Sequence, residues 1–227
     1  MSYMKFAVIL MNKEILIPFG ETLFTAHSEG FLFHSESGSL IISDCHFGKT
    51  THFRKHALPI PELAIQRDFL RLKAIADHMQ PSRIIFLGDL FHSGSNREWY
   101  ILSEFLYTHI KATVILVMGN HDILPHQIYR EAGFELTDCY PLGEIACVHD
   151  KNEVPNKAAF TISGHIHPGY RLSGTGRQKL SLPCFYAGSN HMIMPAFGSL
   201  TGLSIIEKKD KKDRVFCYTP ERIFEVN

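Results

Sequence analysis

Between residues 40 and 117 the hydrophobic period of the chain alternates in a way that few folds can accept. Three short apolar runs, Leu40-Ile-Ile42, Ile84-Ile-Phe-Leu87 and Val114-Ile-Leu-Val117, have the length and β-branched content of buried strands. Between the first two, Ile65, Phe69, Leu72, Ala76 and Met79 recur at i, i+4, i+7, i+11 and i+14, one face of a helix. Pro61 suits the first turn of that helix and Pro81 follows its end. Trp99, Leu102, Phe105 or Leu106, and Ile110 give a second amphipathic helix between the other two runs. Strand–helix–strand–helix–strand at this spacing requires parallel strands joined by right-handed crossovers.

Outside that segment the pattern is that of strands. Phe31-Leu-Phe33 and Leu40-Ile-Ile42 flank Ser-Glu-Ser-Gly at 35–38, a hairpin arrangement, and Ile15-Leu-Ile17 precedes Pro18 and Gly20. Phe6–Met11 reads as a core strand rather than a signal peptide, because Lys13 and Glu14 follow it with no cleavage pattern. After about 133 the helical period disappears. Runs at Ile145–Val148, Phe160–Ile162 and Leu203–Ile206 alternate with glycine and proline, and the charged run 207–214 reads as a solvated hairpin turn. No linker or repeat divides the chain, so residues 1–227 are expected to form one domain of α/β class. No segment reaches the roughly 20 apolar residues a membrane span needs. The five cysteines are odd in number and contain no C-x-x-C pair, which argues for reduced thiols in a cytoplasmic protein.

The chain carries 14 histidines, and several fall where strands end. In order, the strand-end motifs are Asp44-Cys45-His46, Gly88-Asp89, Gly119-Asn120-His121-Asp122, His149, and Gly164-His165-Ile166-His167. Loops at the carboxyl ends of parallel strands are where α/β proteins gather their ligands. Asp-x-His and His-x-His each put two side chains on one face of an extended segment. Two carboxylates, an amide and imidazoles form an oxygen and nitrogen set suited to Mn²⁺, Fe or Zn²⁺, not the thiolate set of structural zinc. Seven such groups are too many for one ion with an open position. They suit two ions sharing a carboxylate, the arrangement that displaces phosphate esters.

These motifs resemble the calcineurin-like metallophosphoesterases from about Leu40 to Gly202. A closer resemblance rests on His46-Phe-Gly-Lys49, Phe53-Arg54, Gly88-Asp-Leu-Phe-His-Ser93, Gly164-His-Ile-His-Pro-Gly169, Gly176-Arg177, Leu182-Pro-Cys-Phe185, Pro195-Ala-Phe-Gly198 and Thr201-Gly202. Together these are similar to the ligase-associated DNA damage response endonuclease subfamily, PdeM. The resemblance implies a four-layer sandwich of two mixed β-sheets flanked by helices. It implies one divalent ion held by Asp44, His46 and His167, a second held by Asn120, His149 and His165, and Asp89 bridging them. Mn²⁺ is the first expectation, with Fe or Zn²⁺ as alternatives. His121 then stands beside the phosphate, as acid or phosphate stabiliser, with Asp122 orienting its imidazole and His92 in reach of substrate or ligand. The family often follows the histidine at 149 with a small residue, whereas here Asp150 follows it.

The resemblance further implies hydrolysis by hydroxide generated between the two ions, DNA as substrate, and association with a DNA ligase, a helicase and an exonuclease-like protein. Lys49, Arg54, Arg171 and Arg177 lie in or near the motif loops and are candidates for phosphates flanking the scissile bond. The balance of 23 Lys+Arg against 23 Asp+Glu weighs against extended nonspecific DNA binding. It favours a rival reading with a small phosphoester or nucleotide substrate. A third reading, a scaffold of the same fold without catalysis, has no use for the full ligand set.

Overall fold

A computed structural model describes residues 12–49, 63–92, 94, 96–154, 158–174, 176 and 178–226. The expected strand at Phe6–Met11, the helix-opening Pro61, and the candidates Arg54 and Arg177 lie outside these residues. Two mixed sheets pack face to face. In the first, strands run in chain order: β1 (Glu14–Phe19), β2 (Thr22–His27), β3 (Phe31–His34), β4 (Ser39–Ile42), β5 (Arg83–Leu87), β6 (Thr113–Val117) and β7 (Phe134–Thr137). The pairs from β1 to β4 are antiparallel, and those from β4 to β7 are parallel. The expected hairpin at 35–38 and both crossovers are therefore present.

The second sheet is built from β8 (Tyr140–Leu142), β9 (Ile145–Val148), β10 (Phe160–Ser163), β11 (Pro168–Ser173), β12 (Lys179–Ala187), β13 (His191–Ile193) and β14 (Ser204–Ile205), with β15 (Arg214–Thr219) and β16 (Arg222–Val226) added beside β12. Strands β9, β10 and β13 are mutually parallel. The run 207–214 is not the hairpin turn expected from its charge. It joins β14, which pairs β11, to β15, which pairs β12 and β16. Nor is it wholly solvated. Asp213 is buried and accepts hydrogen bonds from the Tyr186 hydroxyl and from the amides of Lys209 and Asp210.

Three helices whose full extent falls among the described residues cover the first sheet. In α1 (Leu63–Met79), Phe69, Leu72 and Ile75 are buried, and the helix ends at Gln80, whose φ of 45° turns the chain into Pro81. In α2 (Arg97–His109), the Asn96 side chain accepts from the amides of Glu98 and Trp99, and Trp99, Leu102 and Leu106 are buried. The short α3 (His126–Glu131) seats Tyr129 in the same layer. Between the sheets lies a second core drawn from strands and, just past β13, Met194, with Ile41, Ile85, Leu87, Val117, Cys147, Ile162 and Phe185 fully buried. The outer face of the second sheet carries a small cluster around Cys184, Tyr186, Val215 and Cys217. No helix packs there among the described residues; two mixed sheets with helices on the first form the α/β sandwich that the motif resemblance implies.

Candidate metal centre

Every strand-end motif opens at one rim of this sandwich. Strands β4, β5 and β6 deliver Asp44 with His46, Asp89, and Asn120 with His121, while β9 and β10 deliver His149 and His165 with His167. The backbone bends sharply at these points. Among the described residues six non-glycine positions have positive φ, and five of them are Asp44 (51°), His46 (47°), Asp89 (49°), His165 (68°) and His167 (52°). A side chain in this region costs of order 1 kcal/mol and persists where the surroundings impose it. Gly164 shows how closely the loops pack. A Cβ there would collide with the Ser43 hydroxyl and the Asp44 carboxylate.

The side chains converge as two groups. Asp44, His46 and His167 bring ligand atoms together, as do Asp89, His149 and His165. In the first, the Nε2 atoms of His46 and His167 lie 3.2 Å apart, and His167 Nε2 is 3.3 Å from Asp44 Oδ1. In the second, His149 Nε2 lies 3.0 Å from Asn120 Oδ1, 3.1 Å from His165 Nδ1 and 3.4 Å from Asp89 Oδ1. The other oxygen of Asp89 faces the first group, 3.7 Å from His46 Nε2.

The chemistry of these contacts fits a cation. His149 Nδ1 is 2.9 Å from the Leu87 carbonyl, which can only accept, so a neutral ring carries its proton on Nδ1. Nε2 then offers only a lone pair, and it faces an amide oxygen and a carboxylate oxygen. Lone pairs held this close repel one another unless a positive ion lies among them. Burial alone would raise the pKa of Asp44, but the His167 ring and the Ser43 hydroxyl hold it below the usual value. Burial pushes His46 down to about 3, leaving its imidazole neutral and able to coordinate.

Around the ligands the expected residues divide. The His121 ring is exposed at the rim, 5.8 Å from the His46 ring, and its amide donates to Asp89 Oδ1 at 2.9 Å. The His92 ring is 4.3 Å from that of His121 and 5.2 Å from that of His46. Lys49 is half-buried; burial lowers its pKa, and the nearby Asp89 opposes that shift. Asp122 departs from its expected role. Its oxygens accept from the amides of Leu90, Phe91 and Gly119, so it ties the β5 loop to the β6 loop instead of orienting the His121 ring. Burial pushes its pKa up to about 6 against those three bonds. Arg171 is exposed on β11, with no hydrogen bond or ion pair to either group. Sequence reasoning passed over Ser43, whose hydroxyl donates to Asp44 Oδ2, and a role for Asp150, 4.0 Å from His165 Nε2. The adjacency of each to a ligand was the available signal.

A sequence model of the calcineurin-like phosphoesterases matches residues 39–188, a span that contains every ligand named above. The chain is a calcineurin-like phosphoesterase. Its fold is shared with the nuclease MPE of Pseudomonas putida, which superposes with a TM-score of 0.78 over 94% of this chain and 100% of its own, at 21% identity. The phosphoesterase Yfce of E. coli covers 83% of this chain and 97% of its own, at 14% identity and a TM-score of 0.43, too loose to carry an argument. No curated protein sequence matches the phosphoesterase.

Proposed function

We propose that this calcineurin-like phosphoesterase is a two-ion phosphodiesterase that cuts DNA in repair. One observation carries the two-ion reading: the oxygens of Asp89 divide between the two groups, one toward His149 and one toward His46. Two divalent ions, Mn²⁺ by preference, would neutralise phosphate oxygens and make water acidic enough to lose a proton near neutral pH. Asp44, His46 and His167 would hold one and Asn120, His149 and His165 the other, with Asp89 offering an oxygen to each. His121 then meets the phosphate from the solvent side. Its amide is anchored on Asp89, and its ring is free to protonate the leaving oxygen or steady the phosphoryl group. Lys49 adds a cation at the same mouth.

The nuclease reading is supported by the full-length superposition with nuclease MPE and by the motif resemblance. Two divalent ions against two ligand carboxylates leave the mouth near +2, so a chain neutral overall presents a cationic site to a polyanion. Association with a DNA ligase, a helicase and an exonuclease-like protein would supply the extended DNA grip that this balance lacks.

The test is Mn²⁺-dependent cleavage of single-stranded, duplex and nicked DNA beside bis-p-nitrophenyl phosphate and p-nitrophenyl phosphate. We expect cleavage of DNA and of the diester, abolished by EDTA. Turnover of the small esters with no nucleic acid cut would replace the nuclease reading with that of a small-phosphoester hydrolase.

A further inference from the structure

A second concavity, about 590 Å³ in volume, lies outside the metal centre. Its walls come from five separate segments: the β2–β3 turn at Ser28 and Glu29, Arg67 and Arg71 of α1, Leu182 and Pro183 of β12, the segment 196–203, and the β15–β16 turn at Thr219 and Pro220. Topology places them at the rim that carries the ligands. Strand β3 is antiparallel to β4, so it begins where β4 ends. Helix α1 starts on the path from β4 back to β5 and therefore begins at that rim. Strand β15 is antiparallel to β12, β12 to β13, and β13 is parallel to β10, so β15 and β10 end together.

The concavity shares a wall with the first ligand group. The amide of Gly198 donates to the Asp44 carbonyl at 3.1 Å, and that of Ser204 to the His167 carbonyl at 3.0 Å. The wall includes Phe197-Gly198 and Thr201, motif residues that the metal chemistry does not use.

Its lining combines unsatisfied polar groups with apolar surface. The Ser28 hydroxyl is buried without a hydrogen-bond partner, and so is Arg71 Nε, which lies 3.6 Å from Glu29. The Arg71 guanidinium stacks 3.7 Å over the Phe197 ring and is balanced by Asp68 and Glu29. Arg67 is exposed and has no ion pair among the described residues, so the two guanidiniums equal the two carboxylates in number and Arg67 is the cation without a carboxylate contact. Leu182, Pro183 and Leu203 provide aliphatic surface. One free guanidinium, unsatisfied donors and apolar surface, in a volume typical of ligand sites, match one nucleotide: a phosphate, a sugar and a base face.

We infer that this concavity is a subsite for a nucleotide flanking the scissile phosphate, with Arg67 on that nucleotide's phosphate. The inference rests on the nuclease reading for its place in catalysis, but binding tests it separately. Fluorescence anisotropy of a labelled phosphorothioate oligodeoxythymidylate in Mn²⁺, whose backbone resists cleavage, compares the wild type with Arg67→Ala, Leu203→Glu and Lys73→Ala. Leu203 is partly exposed, so its variant adds a repelling carboxylate without opening the core. Lys73 is on the same helix but outside the concavity, paired with Asp77. Arg67→Ala and Leu203→Glu should each weaken binding about fivefold to tenfold, and Arg67→Ala should lower the salt slope by about 0.7. Lys73→Ala should bind as the wild type does. In Mn²⁺, Arg67→Ala should lower the ratio of kcat/KM for the oligonucleotide to that for bis-p-nitrophenyl phosphate. Wild type that binds but does not cut would retire the nuclease reading and leave the subsite standing. No wild-type binding, unchanged binding by Arg67→Ala, or equal weakening by Lys73→Ala would overturn the subsite.

Discussion

The ligands are held by contacts that differ in kind, and each predicts its own loss. Asp89 faces both groups through opposite oxygens, and one of these also accepts the His121 amide. Asp89→Asn should therefore lose at least one ion, read as metal per chain by mass spectrometry of the native protein; two ions at full occupancy would count against bridging. His121 contributes no atom to either group, so His121→Asn should keep both ions while kcat falls by ~10²–10⁴. Loss of metal in that variant would make it a ligand after all. These ligands were legible as residue types at strand ends. Alternation along an extended segment did not show that His165 and His167 divide between the two groups, because the backbone at Asp44, His46, His165 and His167 is left-handed. What periodicity could not show was Asp122. Its identity and neighbours suit an orienting carboxylate, but three amides from two loops reach it first.

Among the elements, the helical period between 63 and 110 was readable because burial on one face imposes it, and the apolar runs at 84–87 and 114–117 because both faces of those strands are buried. Strands β11 and β12 were not. Strand β11 is buried only at its first two residues, β12 passes from an exposed first half to a buried second half, and a glycine or proline interrupts each. The 207–214 run hid a buried aspartate for a related reason: composition reports average exposure, not the one carboxylate that three donors draw inward. The loops between elements are set by close approach. Gly164→Ala should push the β10 loop away from Ser43 and Asp44 and weaken the ion held by Asp44, His46 and His167. Mn²⁺ titration by calorimetry would show one site weakened and the other retained; two unchanged sites would mean that the loop yields freely.

For the molecule as a whole, folding and loading are linked. Ions that bind only the folded chain stabilise it by about 2.7 kcal/mol at a hundredfold excess over Kd, so Mn²⁺ should raise Tm by several degrees and EDTA should reverse the shift. A separate linkage follows from His191 on β13, where burial pushes the pKa down to about 4 and Nε2 lies 2.9 Å from the Ser163 hydroxyl. Between pH 6.5 and 4 the unfolded chain takes up a proton that the folded chain refuses. Stability from this site is complete above pH 6.5 and falls as the pH drops through that window. Melting in EDTA across pH 7.5 to 4.5 should show a shallower acid loss in His191→Gln than in the wild type; parallel curves would remove His191 from the account.

The direction of the strands has a further consequence. The turns at Gly20, at 35–38 and at Gly143 lie at the end of the sandwich opposite Asp44, Asp89 and His149. One end reacts and the other merely reverses the chain. Selectivity can therefore be rewritten by editing loops at one end while the inter-sheet core stays as it is. A label or fusion partner attached at the other end would ride along as a passenger.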